Sequence, residues 1–238
     1  MLFRSFELGR VFLRDSTSQN TDRTVAGFDQ PMRVAGLAYG PRAKLNWSQA
    51  DKTVDLFDVK GDVQALLAPL QPTFLPAEHP AMHPGRCASV SVRGKAIGFV
   101  GELHPKWRQT YELAQAPLLF ELDLDAVLAR PVPVFEAVSK LQPVERDIAV
   151  IVPEAVTHAA LMACIEGANT GGLLSQAILF DVYRPQPGST AMSVGEKSLA
   201  VRLVLTSSSA TLTDGAIDVA VLAVLLQLQN QLQARLRA

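Results

Sequence analysis

The chain of 238 residues is long enough for one large domain or two modest ones, and 48% hydrophobic against 19% charged residues excludes global disorder. A net charge of −1 argues against a strongly basic nucleic-acid binder but leaves room for a local basic site. Cys87 and Cys164, the two cysteines, are far apart and supply neither a disulfide framework nor a CxxC metal knuckle, which fits a reducing compartment.

The start, MLFRSFELGRVFLRD, alternates charged and apolar residues and lacks the uninterrupted apolar core of a signal peptide. Strands are expected over FELGRVFL, MRVAGLAYG, CASVSVRG, AIGFVGEL and LLFELDL. Arg93-Gly94-Lys95 reads as a turn between two of them, so SVSVRGKAIGFVGEL is a hairpin. Leu56, Val59, Val63, Leu66 and Leu67 fall on one helical stripe, although Gly61 weakens it. A second helix follows His104, with Pro105 suited to its first turn. The upstream part is therefore mainly antiparallel sheet with a few helices.

Prolines 131, 133 and 143 break regular structure between Ala129 and Asp147. This places one module over residues 1–129, a linker over 130–146 and a last domain over 147–238. In that domain DIAVIV is a strand and THAALMACIEGA a helix capped by Thr157, with Gly167 near its end. LSQAILFDVY and KSLAVRLVLT are strands joined by a Pro/Gly loop. A long helix follows, with Thr213 as cap, Asp214 at its positive end, and a buried stripe from Ile217 to Leu232. Its AIDVAVLAVLLQLQ run reads as too short and too glutamine-rich for a bilayer, so the expectation is a soluble, cytoplasmic protein. A short strand at 234–237 completes βαββαβ.

Alternation along strands sorts the last domain into two faces. Ile148, Val150, Val152, Ile178, Phe180, Val182, Leu199, Val201, Leu203 and Leu205 form an apolar set expected under the helices. Asp147, Ala149, Ile151, Leu179, Asp181, Tyr183, Ser198, Ala200 and Arg202 form the open face. A base can stack beside Ala149 or on Tyr183, Asp181 can accept from base amino groups, and Ser198 can donate or accept. Arg184, Lys197 and Arg202 are candidates for phosphate contact. An ordinary open antiparallel sheet also turns a polar face to water, so the pattern alone does not decide.

The segments VERDIAVIV, ILFDVYR, GEKSLAVRL and TLTD before a long helix, in that order, resemble the ferredoxin-fold anticodon-binding domain that ends the β subunit of bacterial phenylalanyl-tRNA synthetases. FELGRVF, DLFDVKGDVQALL, HPGR, IGFVGELHP and LFELDLD are similar to the catalytic-like module that precedes it. The resemblance covers almost the whole chain. It implies an α+β architecture: a class II synthetase-like antiparallel sheet module, then a ferredoxin-like βαββαβ sandwich. It further implies a tRNA-recognition fragment of a longer β subunit, whose open face binds the anticodon stem-loop of phenylalanine tRNA. Carried over by motif, Ala149, Asp181 and Ser198 are the leading contacts, with Tyr183, Arg184, Arg146, Lys197 and Arg202 behind them. The loop RPQPGSTAMSVGEKS is longer and less charged than the family's usual stretch, which weakens its phosphate contacts. The implied partners are that tRNA and the α subunit of an α2β2 assembly; ATP and magnesium belong to the holoenzyme, and no cofactor, membrane or DNA is expected for this stretch.

Chemistry is not expected of the chain alone. FRSFE superficially resembles the strand motif of class II ligases, but no glycine-rich segment ends in Arg at a helix start, so Arg4 reads as a solvated strand residue and a free-standing ligase is disfavoured. His79 and His83 are four apart, yet Pro80 and Pro84 forbid the helix that would align them on a metal. An alternative reading is a small-ligand-sensing regulatory βαββαβ protein. Those modules bind ligand near loop glycines, whereas here the polar groups sit mid-sheet.

Overall fold

The computed structural model describes residues 3–21, 24–48, 50–135, 140–185, 192–193, 195–208 and 210–237. The chain divides into two units, Met1–Pro133 and Val134–Ala238.

In the first unit, β1 (Phe3–Arg10) is followed by a two-stranded ribbon of β2 (Leu13–Arg14) and β3 (Phe28–Asp29). Then come β4 (Met32–Tyr39), α1 (Leu56–Leu67), β5 (Thr73–Pro76), β6 (Met82–Val92), β7 (Lys95–Leu103), α2 (Pro105–Thr110), β8 (Leu118–Asp123) and α3 (Leu124–Leu128). The main sheet is antiparallel throughout, in the order β1-β4-β8-β7-β6-β5. A capping box starts α1: Asp55 accepts from the Asp58 N–H while Asp58 accepts from the Asp55 N–H. The stripe expected from sequence buries Val59, Val63 and Leu67 in a core with Val34, Val90, Val100, Leu118 and Leu122. Gly61 lies off that stripe in open space. The hairpin turn is two residues, Arg93 and Gly94, both at positive φ (51° and 78°), with Val92 opposite Lys95. The HPGR segment is part of β6, where the register with β7 slips between Met82 and Cys87. The ribbon, β5 and α3 have too few residues for a periodic signal and were not expected.

The second unit runs β9 (Val144–Pro153), α4 (His158–Glu166), β10 (Leu174–Tyr183), β11 (Glu196–Leu205), α5 (Asp214–Leu232) and β12 (Arg235–Leu236). Its antiparallel sheet has the order β10-β11-β9-β12, which is the ferredoxin-like arrangement. Thr157 and Thr213 cap the two helices by accepting from Ala160 N–H and Ala216 N–H. Leu161, Cys164 and Ile165 of α4 and Val224 and Leu228 of α5 pack with Ile148, Val150, Val152, Leu199, Val201 and Leu203. α5 has the 19 residues expected between its Thr213 cap and Leu232, but the reading of its apolar run as too short for a bilayer does not hold: by length and composition alone the helix could cross a membrane. Its inward stripe, Ile217, Ala220, Val224 and Leu228, is buried.

One expectation is overturned in β10. Its pairing with β11 shifts between Leu174 and Gln176 and again between Leu179 and Asp181, so each shift leaves one surplus residue and reverses the alternation. Ala177 and Leu179 therefore pack against the core. Ile178 and Phe180, expected under the helices, are 39% and 53% exposed. Val182 lies opposite buried Leu199 yet stays 40% exposed at the strand end. The second shift restores the phase, so Asp181 and Tyr183 face outward opposite Ala200 and Ser198.

Candidate nucleic-acid interface

The open face of the second sheet is built in rows across the strands. Asp181, Ala200 and Ala149 are successive neighbours in one row. Tyr183, Ser198, Ile151 and Arg235 form the next. On the other side, Ile178, Arg202 and Asp147 form a third. Ala149 and Ala200 make a low floor because neither has a side chain beyond Cβ. At its edge stands Asp181, exposed, with no hydrogen bond or ion pair on its carboxylate among the described residues. A free carboxylate beside a flat floor suits a planar ligand bearing N–H donors.

The cations are arranged differently from the expectation. Arg202 grips Asp147 with both ends of its guanidinium (Nε–Oδ1 2.8 Å, Nη2–Oδ2 2.9 Å) and reaches Glu145 at 3.0 Å. The hydrogen bonds from Arg202 hold the Asp147 carboxyl below its ordinary value of 3.8, and the same pair pushes Arg202 upward. The Arg202 guanidinium also lies 5.6 Å from the Phe180 ring centre. Arg184 donates twice to Glu154 Oε1, at 3.0 and 2.8 Å. This bond, chiefly, lowers the Glu154 carboxyl from its ordinary 4.5. Both arginines are thus neutralised locally.

The structure does not bring Lys197 or Arg146 to the open face. Lys197 stands opposite Val152 on the helix side, is 8% exposed, and donates from Nζ to the Glu154 carbonyl at 2.8 Å. Arg146 stands opposite buried Leu203, with Asp214 3.9 Å away. Ser198 is on the open face but only 2% exposed. Residues 186–191 and 194 of the connecting loop lie outside the described residues.

Two residues that sequence reasoning passed over join the face. Arg235 pairs with Glu196 at 2.6 Å. Arg237 donates its backbone N–H to the Ala149 carbonyl at 2.8 Å and lays its guanidinium over the Tyr183 ring. Their spacing of two was the available signal, since residues two apart on a strand share a face.

In the first unit, an open groove of about 440 Å³ includes Phe3, Phe6, Leu37, Phe99, Glu7 and Glu121. Two carboxylates on an apolar lining do not fit a polyphosphate such as ATP. Arg4 turns to the helix side and pairs with Asp62 at 3.1 Å. His79 stacks on Phe99 at 4.2 Å rather than pairing with His83. Among the described residues no cluster of three His, Cys, Asp or Glu side chains is arranged for a metal ion.

Residues 2–124 match the family described as phenylalanyl tRNA synthetase beta chain CLM domain. Residues 139–237 match the ferredoxin-fold anticodon binding domain. The chain is 44% identical to the phenylalanine–tRNA ligase beta subunit of Cupriavidus pinatubonensis, over 98% of its own length and 29% of the relative's. It is 45% identical to that of Ralstonia nicotianae, over 99% and 30%. For Chromobacterium violaceum the identity is 47%, over 98% and 28%. The chain thus spans about three tenths of the length of these curated relatives.

Proposed function

The chain belongs to the phenylalanyl-tRNA synthetase β-chain family, and from that premise we propose that its second unit holds the anticodon stem-loop of phenylalanine tRNA on the open sheet face. The observation that carries this reading is the free Asp181 carboxylate beside the alanine floor of Ala149 and Ala200. An unpaired acceptor-only group on an exposed sheet discriminates by hydrogen bonds to base donors, while the floor admits the base plane. Tyr183 adds an aromatic surface one row away. The unit's charge supports recognition by shape and hydrogen bonding over bulk attraction: seven Lys/Arg against nine Asp/Glu from Val134 onward gives 7 − 9 = −2.

In this reading the chain contributes recognition, not chemistry. Aminoacylation, with its ATP and magnesium, falls to an α subunit in the cytoplasm, in an α2β2 assembly. Contacts elsewhere on the tRNA add to the affinity of the holoenzyme.

The test is titration of the chain with phenylalanine tRNA, the same tRNA with an altered anticodon, and free phenylalanine, all at low salt. Expected are weak binding that depends on the anticodon and a loss of about tenfold on Asp181→Ala, the cost of one hydrogen bond to a charged group. Equal affinity for every tRNA, untouched by that substitution, would sink the assignment. Saturable binding of phenylalanine without tRNA would favour a ligand-sensing role.

A further inference from the structure

Of the arginines described in the second unit, Arg146, Arg184, Arg202 and Arg235 each have a carboxylate within ion-pair distance. Arg237 has none among the described residues. Its guanidinium carbon lies 4.9 Å from the Tyr183 ring centre, and Nη1 donates to Ser198 Oγ at 3.5 Å, the outer limit of a hydrogen bond. Arg237 arrives from the β12 edge and Tyr183 from the β10 edge, so the two side chains meet above β11. Ser198 lies beneath them, which accounts for its 2% exposure.

A guanidinium carries five N–H donors in a planar fork. Here one is engaged, weakly, and the plane is steadied by an aromatic face. Such a group is preorganised, has no carboxylate partner among the described residues, and is adjacent to Ala149. We propose that Arg237 is a further RNA-contacting residue: held on Tyr183, it offers its free N–H edge to a hydrogen-bond acceptor of the anticodon loop, either a phosphate oxygen or a base acceptor. Ser198 then acts as a positioning residue beneath Arg237. The proposal rests on the reading of this face as the anticodon site.

The test titrates the full chain with a labelled anticodon stem-loop of phenylalanine tRNA. It compares the unmodified chain with Arg237→Ala, Arg237→Lys, Ser198→Ala and Asp181→Ala. Arg237→Ala should weaken binding about tenfold, the loss of one charge-assisted hydrogen bond. Arg237→Lys should restore only part of it, because an ammonium lacks the planar fork. Ser198→Ala should cost about twofold to threefold, since it removes one weak bond beneath Arg237. If the acceptor is a phosphate, Arg237→Ala lowers the slope of log affinity against log salt by about 0.7. If it is a base, the slope holds and discrimination against an altered anticodon falls. Arg237 is exposed, so unchanged circular dichroism and melting will separate contact from folding. Binding by Arg237→Ala within about twofold of the unmodified chain, while Asp181→Ala is impaired, overturns the Arg237 contact and leaves the face assignment standing. No binding by the unmodified chain, or equal affinity for an unrelated stem-loop, overturns both.

Discussion

At Gly98 on β7, a Cβ would run into the Glu121 carbonyl and the Leu122 Cα of the neighbouring strand. Backbone cannot step aside as a side-chain tip can, so Gly98→Ala should cost about 1–3 kcal/mol or more in urea unfolding. Gly61 gives the opposite sign from the same chemistry. A Cβ there meets nothing within 4 Å, inside a helix, so Gly61→Ala should stabilise by about 0.5–1 kcal/mol. An unchanged midpoint for both variants would contradict this account of the two sites. Lys197 makes a related point about position. It is basic, yet its placement opposite Val152 and its bond to the Glu154 carbonyl make it a tie between strand ends. It shares parity with Leu199 and Val201, so its inward direction was already readable in the sequence.

At the scale of elements, β10 places ten residues opposite the eight from Ser198 to Leu205. Deleting surplus Phe180 leaves every other Cα partner in place, so the variant should unfold within about 1 kcal/mol of the original, with Asp181 still outward. Deleting Leu179 instead puts Phe180 in the slot opposite Val201 and should cost about 1–3 kcal/mol by overpacking. Denaturant melts of the two deletions distinguish these outcomes; equal losses would mean the bulge is not where the surplus is absorbed. The same strand shows where sequence reading stops. The stripes of α1 and α5 were legible because Val59, Val63 and Leu67, or Ile217, Val224 and Leu228, repeat at helical spacing. The outward position of Asp181 was legible because the second shift restores the phase the pattern assumed. The shifts themselves were not, since neither Ser175 nor Phe180 is a residue type that marks a bulge. They are fixed by pairing with β11, which local sequence does not contain. Arg237 was hidden for the same reason, as its face depends on β12 finding β9.

The molecule as a whole carries a net charge of −1, so its response to pH is set by particular pairs more than by general repulsion. Asp147 and Glu154 both have folded values below their ordinary 3.8 and 4.5. Around those ordinary values the unfolded chain binds more protons than the folded one. The stability they contribute is therefore complete above that range and is lost as pH falls through the lower folded values. Melting temperature should decline from about pH 5 downward, and less steeply in Arg202→Ala, where Asp147 loses its partner. High salt should shrink the difference, because both pairs are exposed to solvent. An identical acid profile for Arg202→Ala would remove Asp147 from the account.

The interrupted pairing of β10 bears on solubility as well as on recognition. β10 is an edge of its sheet, and Ile178, Phe180 and Val182 are exposed along it. An unbroken edge with those side chains would be a template for a second chain to add itself by backbone pairing and begin an aggregate. Two irregularities within ten residues break the row of unpaired amides and bend it away from a straight strand. The shifts that turn Ile178 and Phe180 outward therefore also make this apolar edge a poorer template for backbone pairing with a copy of the chain.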